Sequence, residues 1–142
     1  MQLHTMISLG LAVGTASLAI GYGDQTARRF GAAFLANWLV SLAVDNASAV
    51  NTGLGVFCAD AATLVYFVWA SLRARQVWTL VATAFMTMIV ASHVATAIDL
   101  RVTINTFRLS MALWSYGIMV CVGFGTWRAW RARRRTPVQA TP

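Results

Sequence analysis

Asp60 and His93 are the two side chains whose types and spacing could do chemistry inside an apolar setting. Asp60 falls within the apolar run Leu54–Leu72 and His93 within the next run, Val77–Ile98. Histidine is the side chain that changes charge near neutral pH. A carboxylate beside it makes a proton-responsive or ligand-contacting pair. The plain structural alternative is a hydrogen bond that fixes two helices against each other. The two runs are joined by a short turn and read as antiparallel helices. Each residue then lies roughly 8–9 Å in from the same end at about 1.5 Å per residue. An Asp held in a bilayer without a partner costs about 2.5–3.5 kcal/mol at the centre and less toward the interface. That cost gives Asp60 a reason to need His93.

A second use of His93 would be as an axial ligand to haem or a related pigment. A bis-histidine haem needs another intramembrane His, and His4 stands near the end of the first apolar run rather than deep within it. No cofactor is therefore expected. Cys58 and Cys121 lie in separate apolar runs without C-x-x-C spacing, which predicts neither a disulfide scaffold nor a metal site. Asn37 and Trp38 in the second run, with Trp114, Ser115 and Tyr116 in the fifth, could line a pocket or pack between helices. Phosphate-loop, HExxH, GxSxG and dinucleotide-binding motifs are all absent from the sequence. One Asp and one His do not make a catalytic constellation, so the chain reads as a non-enzyme.

The elements that must position these residues follow from composition. Of 142 residues, 58% are hydrophobic and 11% charged, against roughly 25% charged in a soluble domain. Five apolar runs follow in order: Thr5–Tyr22, Phe30–Val44, Leu54–Leu72, Val77–Ile98 and Phe107–Trp127. About 20 residues cross the roughly 30 Å of hydrocarbon in a bilayer. The predicted fold is an all-α, polytopic transmembrane bundle over residues 1–127 with five spans, followed by an Arg-rich tail over 128–142. The second run reaches full length only by extending past Asp45 and Asn46. Four spans would result if the first run were a signal peptide cut after Ser17-Leu18-Ala19, near Ile20. The basic segment that precedes such a signal is missing from Met1–Met6, so retention is expected.

The net charge of +7 comes from eleven Arg, four Asp, and neither Lys nor Glu. Nine of those Arg fall on one side of the five-span scheme: Arg28, Arg29, Arg73, Arg75, Arg128, Arg131, Arg133, Arg134 and Arg135. The other side holds Arg101 and Arg108 with Asp45 and Asp99. Positive charge stays cytoplasmic, so the amino end is expected outside and the tail inside. Four of the six Trp (Trp69, Trp78, Trp127 and Trp130) flank the same Arg-bearing segments, as indoles at the headgroup level do. The tail is expected to meet anionic lipid rather than nucleic acid.

Small residues recur at helical spacing and predict close helix packing. The stripes are Gly10, Gly14, Ser17 and Gly21 in the first run, Gly55, Ala59 and Thr63 in the third, Thr79, Thr83 and Thr87 in the fourth, and Gly117, Cys121 and Gly125 in the fifth. Packing within the chain is expected, with contact to a membrane partner or a second copy as the alternative.

The segment Ser71-Leu72-Arg73-Ala74-Arg75-Gln76-Val77-Trp78, with Ala84-Phe85, Ser92-His93-Val94-Ala95 and Ala112-Leu113-Trp114-Ser115-Tyr116, resembles a set of small multi-pass membrane proteins common in alphaproteobacteria. The resemblance spans about half the chain and implies a bacterial inner-membrane location. The exclusive use of Arg over Lys fits a GC-rich genome. The expected role is a non-enzymatic accessory or structural subunit of a membrane assembly. A small transporter or exporter using Asp60 and His93 is the alternative, with a haem- or pigment-binding protein as a third.

Overall fold

The computed structural model describes residues 3–47, 52–98 and 103–135. The side chains of His4, Asp45 and Asn46, together with Asp99, Arg101 and residues 136–142, lie outside the described residues. The described residues form five helices: α1 (Leu3–Tyr22), α2 (Gln25–Ala47), α3 (Thr52–Ala74), α4 (Val77–Ile98) and α5 (Ile104–Arg135). Three of them, α3, α4 and α5, are long and apolar enough to cross a membrane. The apolar part of α1, Met6–Tyr22, is shorter.

Each helix packs on the next, and α1 closes against α5, so chain order runs around a ring. α2 also reaches across to α5. The turns at one end are tight. Gly23 and Asp24 alone separate α1 from α2, and Asp24 Oδ1 accepts the Ala27 N–H at 2.8 Å. This is an N-cap, and it starts α2 at Gln25 rather than at Phe30. Arg28 and Arg29 therefore belong to the first turns of a helix and not to a loop. At the end of α3, Arg75 takes φ 50° and its N–H reaches the Ser71 carbonyl at 3.0 Å. A left-handed residue closing a helix in this way is normally Gly. At the far end of the chain, α5 continues unbroken through Trp127 to Arg135, so the tail begins as helix.

The interior is built from small residues and a few large rings. Ala12, Ala16 and Ala19 are the face that α1 turns inward. Near the tight turns, Phe30 meets Phe67 at 4.4 Å and Trp78 at 5.3 Å between ring centroids. Met86, Ile118 and Val122 fill the space beside them. Close approach depends on glycine at the seams. A Cβ on Gly55 would stand 2.6 Å from Val44, and one on Gly117 would stand 2.8 Å from the Phe85 ring. Large apolar side chains also cover the outside: Val65 and Val120 are both 71% exposed, and Leu113 is 58% exposed. A surface this apolar is foreign to a water-soluble monomer.

Candidate functional site: a polar cluster across three helices

Asn37, Asp60 and His93 come to one level from three different helices. Asn37 stands 12 residues into α2 from Gln25, Asp60 stands 14 back from Ala74, and His93 stands 16 on from Val77. At about 1.5 Å per residue, all three lie roughly 18–24 Å from the end that carries the tight turns. Helical phase then decides whether they meet, and it brings them together. Asn37 Nδ2 donates to Asp60 Oδ1 at 2.7 Å, and His93 Nε2 lies 3.0 Å from Asp60 Oδ2. Thr63 Oγ1 extends the cluster, lying 3.1 Å from Asn37 Oδ1 and 2.9 Å from the Ala59 carbonyl.

The cluster is closed in. Asp60 is 3% exposed, and the rings of Phe57 and Phe107 meet the His93 imidazole in T-shaped contacts at 5.9 and 5.1 Å between centroids. Each oxygen of Asp60 has a hydrogen-bond partner from a different neighbouring helix. Such an arrangement fixes the rotation of α2 and α4 about α3, because a turn of either helix would strand a buried polar group. A haem iron bound through Nε2 of His93 would have to displace Asp60 from that nitrogen.

The remaining expected residues separate into packing and surface roles. Trp38 is half-buried against the core. Trp114 stacks near Phe85 at 6.1 Å, and Tyr116 Oη lies 2.9 Å from Ser8 Oγ, joining α5 to α1. The contacts seen for these aromatics are packing contacts within the bundle. The Trp pattern is corrected at one position. Trp78 is buried, with its Nε1 donating to Gln76 Oε1, and does not face the headgroup level. Trp69, Trp127 and Trp130 each lie against a guanidinium: Arg73 at 4.8 Å, Arg131 at 5.2 Å and Arg134 at 4.0 Å. Arg29, Arg75, Arg128 and Arg135 are exposed at the same end. Arg28 Nε donates to the Gly23 carbonyl at 3.1 Å, and Arg133 donates to the carbonyls of Tyr22 and Gly23.

The small-residue stripes divide. Gly117, Cys121 and Gly125 pack inward, with Gly117 against Phe85 and Gly125 against Trp78. On α4, Thr79 and Thr83 join Ser71, whose Oγ donates to the Thr79 carbonyl at 3.0 Å and lies 2.7 Å from Thr83 Oγ1. Thr87 is exposed. On α1 the expectation of packing within the chain fails. Gly10, Gly14, Ser17 and Gly21 all point outward, and a Cβ on any of the three Gly would meet nothing within 4 Å. At about 100° per residue their stripe is diametrically opposite the inward face of Ala12, Ala16 and Ala19.

Sequence reasoning missed Asp24, Gln76 and Ser8. For Asp24 a signal was present, since Asp after Gly at the end of an apolar run is a helix-start pattern. Comparison with family models, with curated proteins and with solved structures finds no match for this chain.

Proposed function

We propose that this chain is a multi-pass protein of the bacterial inner membrane that acts as a non-enzymatic subunit, docking through α1 onto another membrane helix. The observation that carries the reading is the outward stripe of Gly10, Gly14, Ser17 and Gly21. Helices in lipid associate by close backbone approach at small residues, since burial of apolar surface gains little there. The bundle uses the opposite face of α1 for its own packing. Five spans are part of the proposal. α1 has 20 residues and so measures about 30 Å, with Met6–Tyr22 as its apolar part. The Arg distribution supports a periplasmic amino end and a cytoplasmic carboxyl end.

Purification of the full chain in mild detergent tests the subunit role. A membrane partner should co-purify in fixed ratio, and Gly10→Leu with Gly14→Leu should release it while leaving the melting temperature unchanged. Retention of the partner by this variant rules out docking through α1.

A second reading, a small transporter or exporter, is favoured by the close approach of Asp60 and His93 on separate helices. Flux into proteoliposomes that disappears in Asp60→Asn, with the fold intact, would favour it over the subunit role.

A further inference from the structure

At the end with the tight turns, the structure forms an open cleft of about 540 Å³ between the α1–α2 turn, the start of α4 and the last third of α5. Asp24, Arg28, Gln76, Gly125, Arg128 and Arg133 line it. Three guanidinium groups thus share the space with one carboxylate. That carboxylate is already engaged: Oδ1 caps α2, and Oδ2 faces Gln76 Nε2 at 3.4 Å. Arg28 and Arg133 are oriented by backbone carbonyls of Tyr22 and Gly23, which direct a guanidinium without cancelling its charge. Arg128 has no ion-pair partner among the described residues.

The result is a concave site with two uncompensated positive charges. Planar Arg forks bind phosphate oxygens in pairs, a match that a single ammonium does not make. The volume falls in the range of small-ligand sites and exceeds what a lone phosphate fills. Exposed Ile20 and Tyr22 on α1, with Phe124 and Trp127 on α5, stand beside the lining residues in the chain. Apolar groups next to a cationic hollow suit a ligand with a charged head and hydrocarbon tails.

We infer that this cleft binds the phosphate of an anionic phospholipid headgroup between Arg28, Arg128 and Arg133. The inference rests on the membrane placement proposed above but not on the subunit role. Full-length protein reconstituted in vesicles of equimolar phosphatidylcholine and phosphatidylglycerol, then released for native mass spectrometry, tests it. Wild type should retain phosphatidylglycerol in preference to phosphatidylcholine. Arg28→Ala with Arg128→Ala should weaken retention roughly fivefold for each Arg removed. Arg131→Ala with Arg134→Ala removes equal charge outside the cleft and should retain the lipid. If the first pair prevents folding, Arg28→Lys with Arg128→Lys keeps the charge, removes the forks and should still lose the preference. Equal loss in the cleft and tail variants means diffuse attraction and overturns the site. Inorganic phosphate that raises the melting temperature of lipid-stripped protein as much as phosphatidylglycerol does would reassign the site to soluble phosphate and overturn the lipid. Failure to recover the protein in the membrane fraction would instead sink the membrane placement, before any lipid is measured.

Discussion

The indole of Trp78 lies directly on the backbone of Gly125, so close that a Cβ built there would stand 2.6 Å from the ring. Trp78 also meets Phe30, so this one contact ties α4, α5 and α2 together beside the tight turns. Gly125→Ala should destabilise the bundle by about 1–3 kcal/mol, because a buried ring in a close-packed seam cannot step aside freely. Two residues earlier, Gly123 faces open space. Gly123→Ala should be neutral or stabilising by up to about 1 kcal/mol through helix propensity. Thermal unfolding of the two variants in one detergent checks the contrast, and equal effects would mean the Trp78 contact carries no weight.

The Asp60 cluster should show coupled energetics. His93→Ala and Asn37→Ala each remove one hydrogen-bond partner from Asp60. Asp60→Asn combined with His93→Ala should recover part of the loss caused by His93→Ala alone. Coupling in hydrogen-bonded membrane pairs averages about 0.6 kcal/mol and reaches about 1.7 kcal/mol. A double-mutant cycle read by unfolding in detergent resolves the upper part of that range. Strict additivity would mean that His93 and Asp60 do not act on each other.

Much of this cluster was legible before the structure. Equal depth on antiparallel helices joined by a short turn pointed to Asp60 with His93. Asn37 reads from the sequence as a cross-helix hydrogen-bonder and a stand-in partner for Asp60, not as its partner together with His93, because nothing in the sequence fixes the rotation of α2 relative to α3. The reason is general for helices in lipid. The face toward hydrocarbon and the face toward the core are both apolar, so the amphipathic signal that orients a soluble helix is nearly absent. The same ambiguity hid which side of α1 packs inward, since Ala12, Ala16 and Ala19 look no more like an interface than Gly10 and Gly14 do. Trp78 was misread because its neighbours in the chain are Arg75 and Gln76, while its burial depends on Gly125, far along the chain.

Arg75 offers a gain rather than a loss. Its φ of 50° is a conformation that glycine adopts without penalty. Arg75→Gly should raise stability by about 0.5–1 kcal/mol, measured as a higher melting temperature. Orientation should not change, because eight Arg remain on that side in the five-span scheme. A lower melting temperature would show that the Arg75 side chain contributes more than its backbone costs.

Topology can be read with reporters. A fusion after Pro142 should be active only in the cytoplasm, and one inserted near Asn51 only outside. Intact mass distinguishes a retained first apolar run from one cut near Ile20. A periplasmic tail would require an even number of spans, and a chain beginning near Ile20 would leave four.

The order in which the chain is made gives the Asn37–Asp60 hydrogen bond a further meaning. Asn37 precedes Asp60 by 23 residues, and His93 follows it by 33. At about 5–20 residues per second, translation leaves Asp60 without its histidine for roughly 2–7 s. During that interval α2 is already synthesised and brings an amide to the same depth. The partner of Asp60 Oδ1 is thus made before Asp60 and the partner of Oδ2 after it, so α2 and α3 hold the means to pair through Asn37 before α4 is complete.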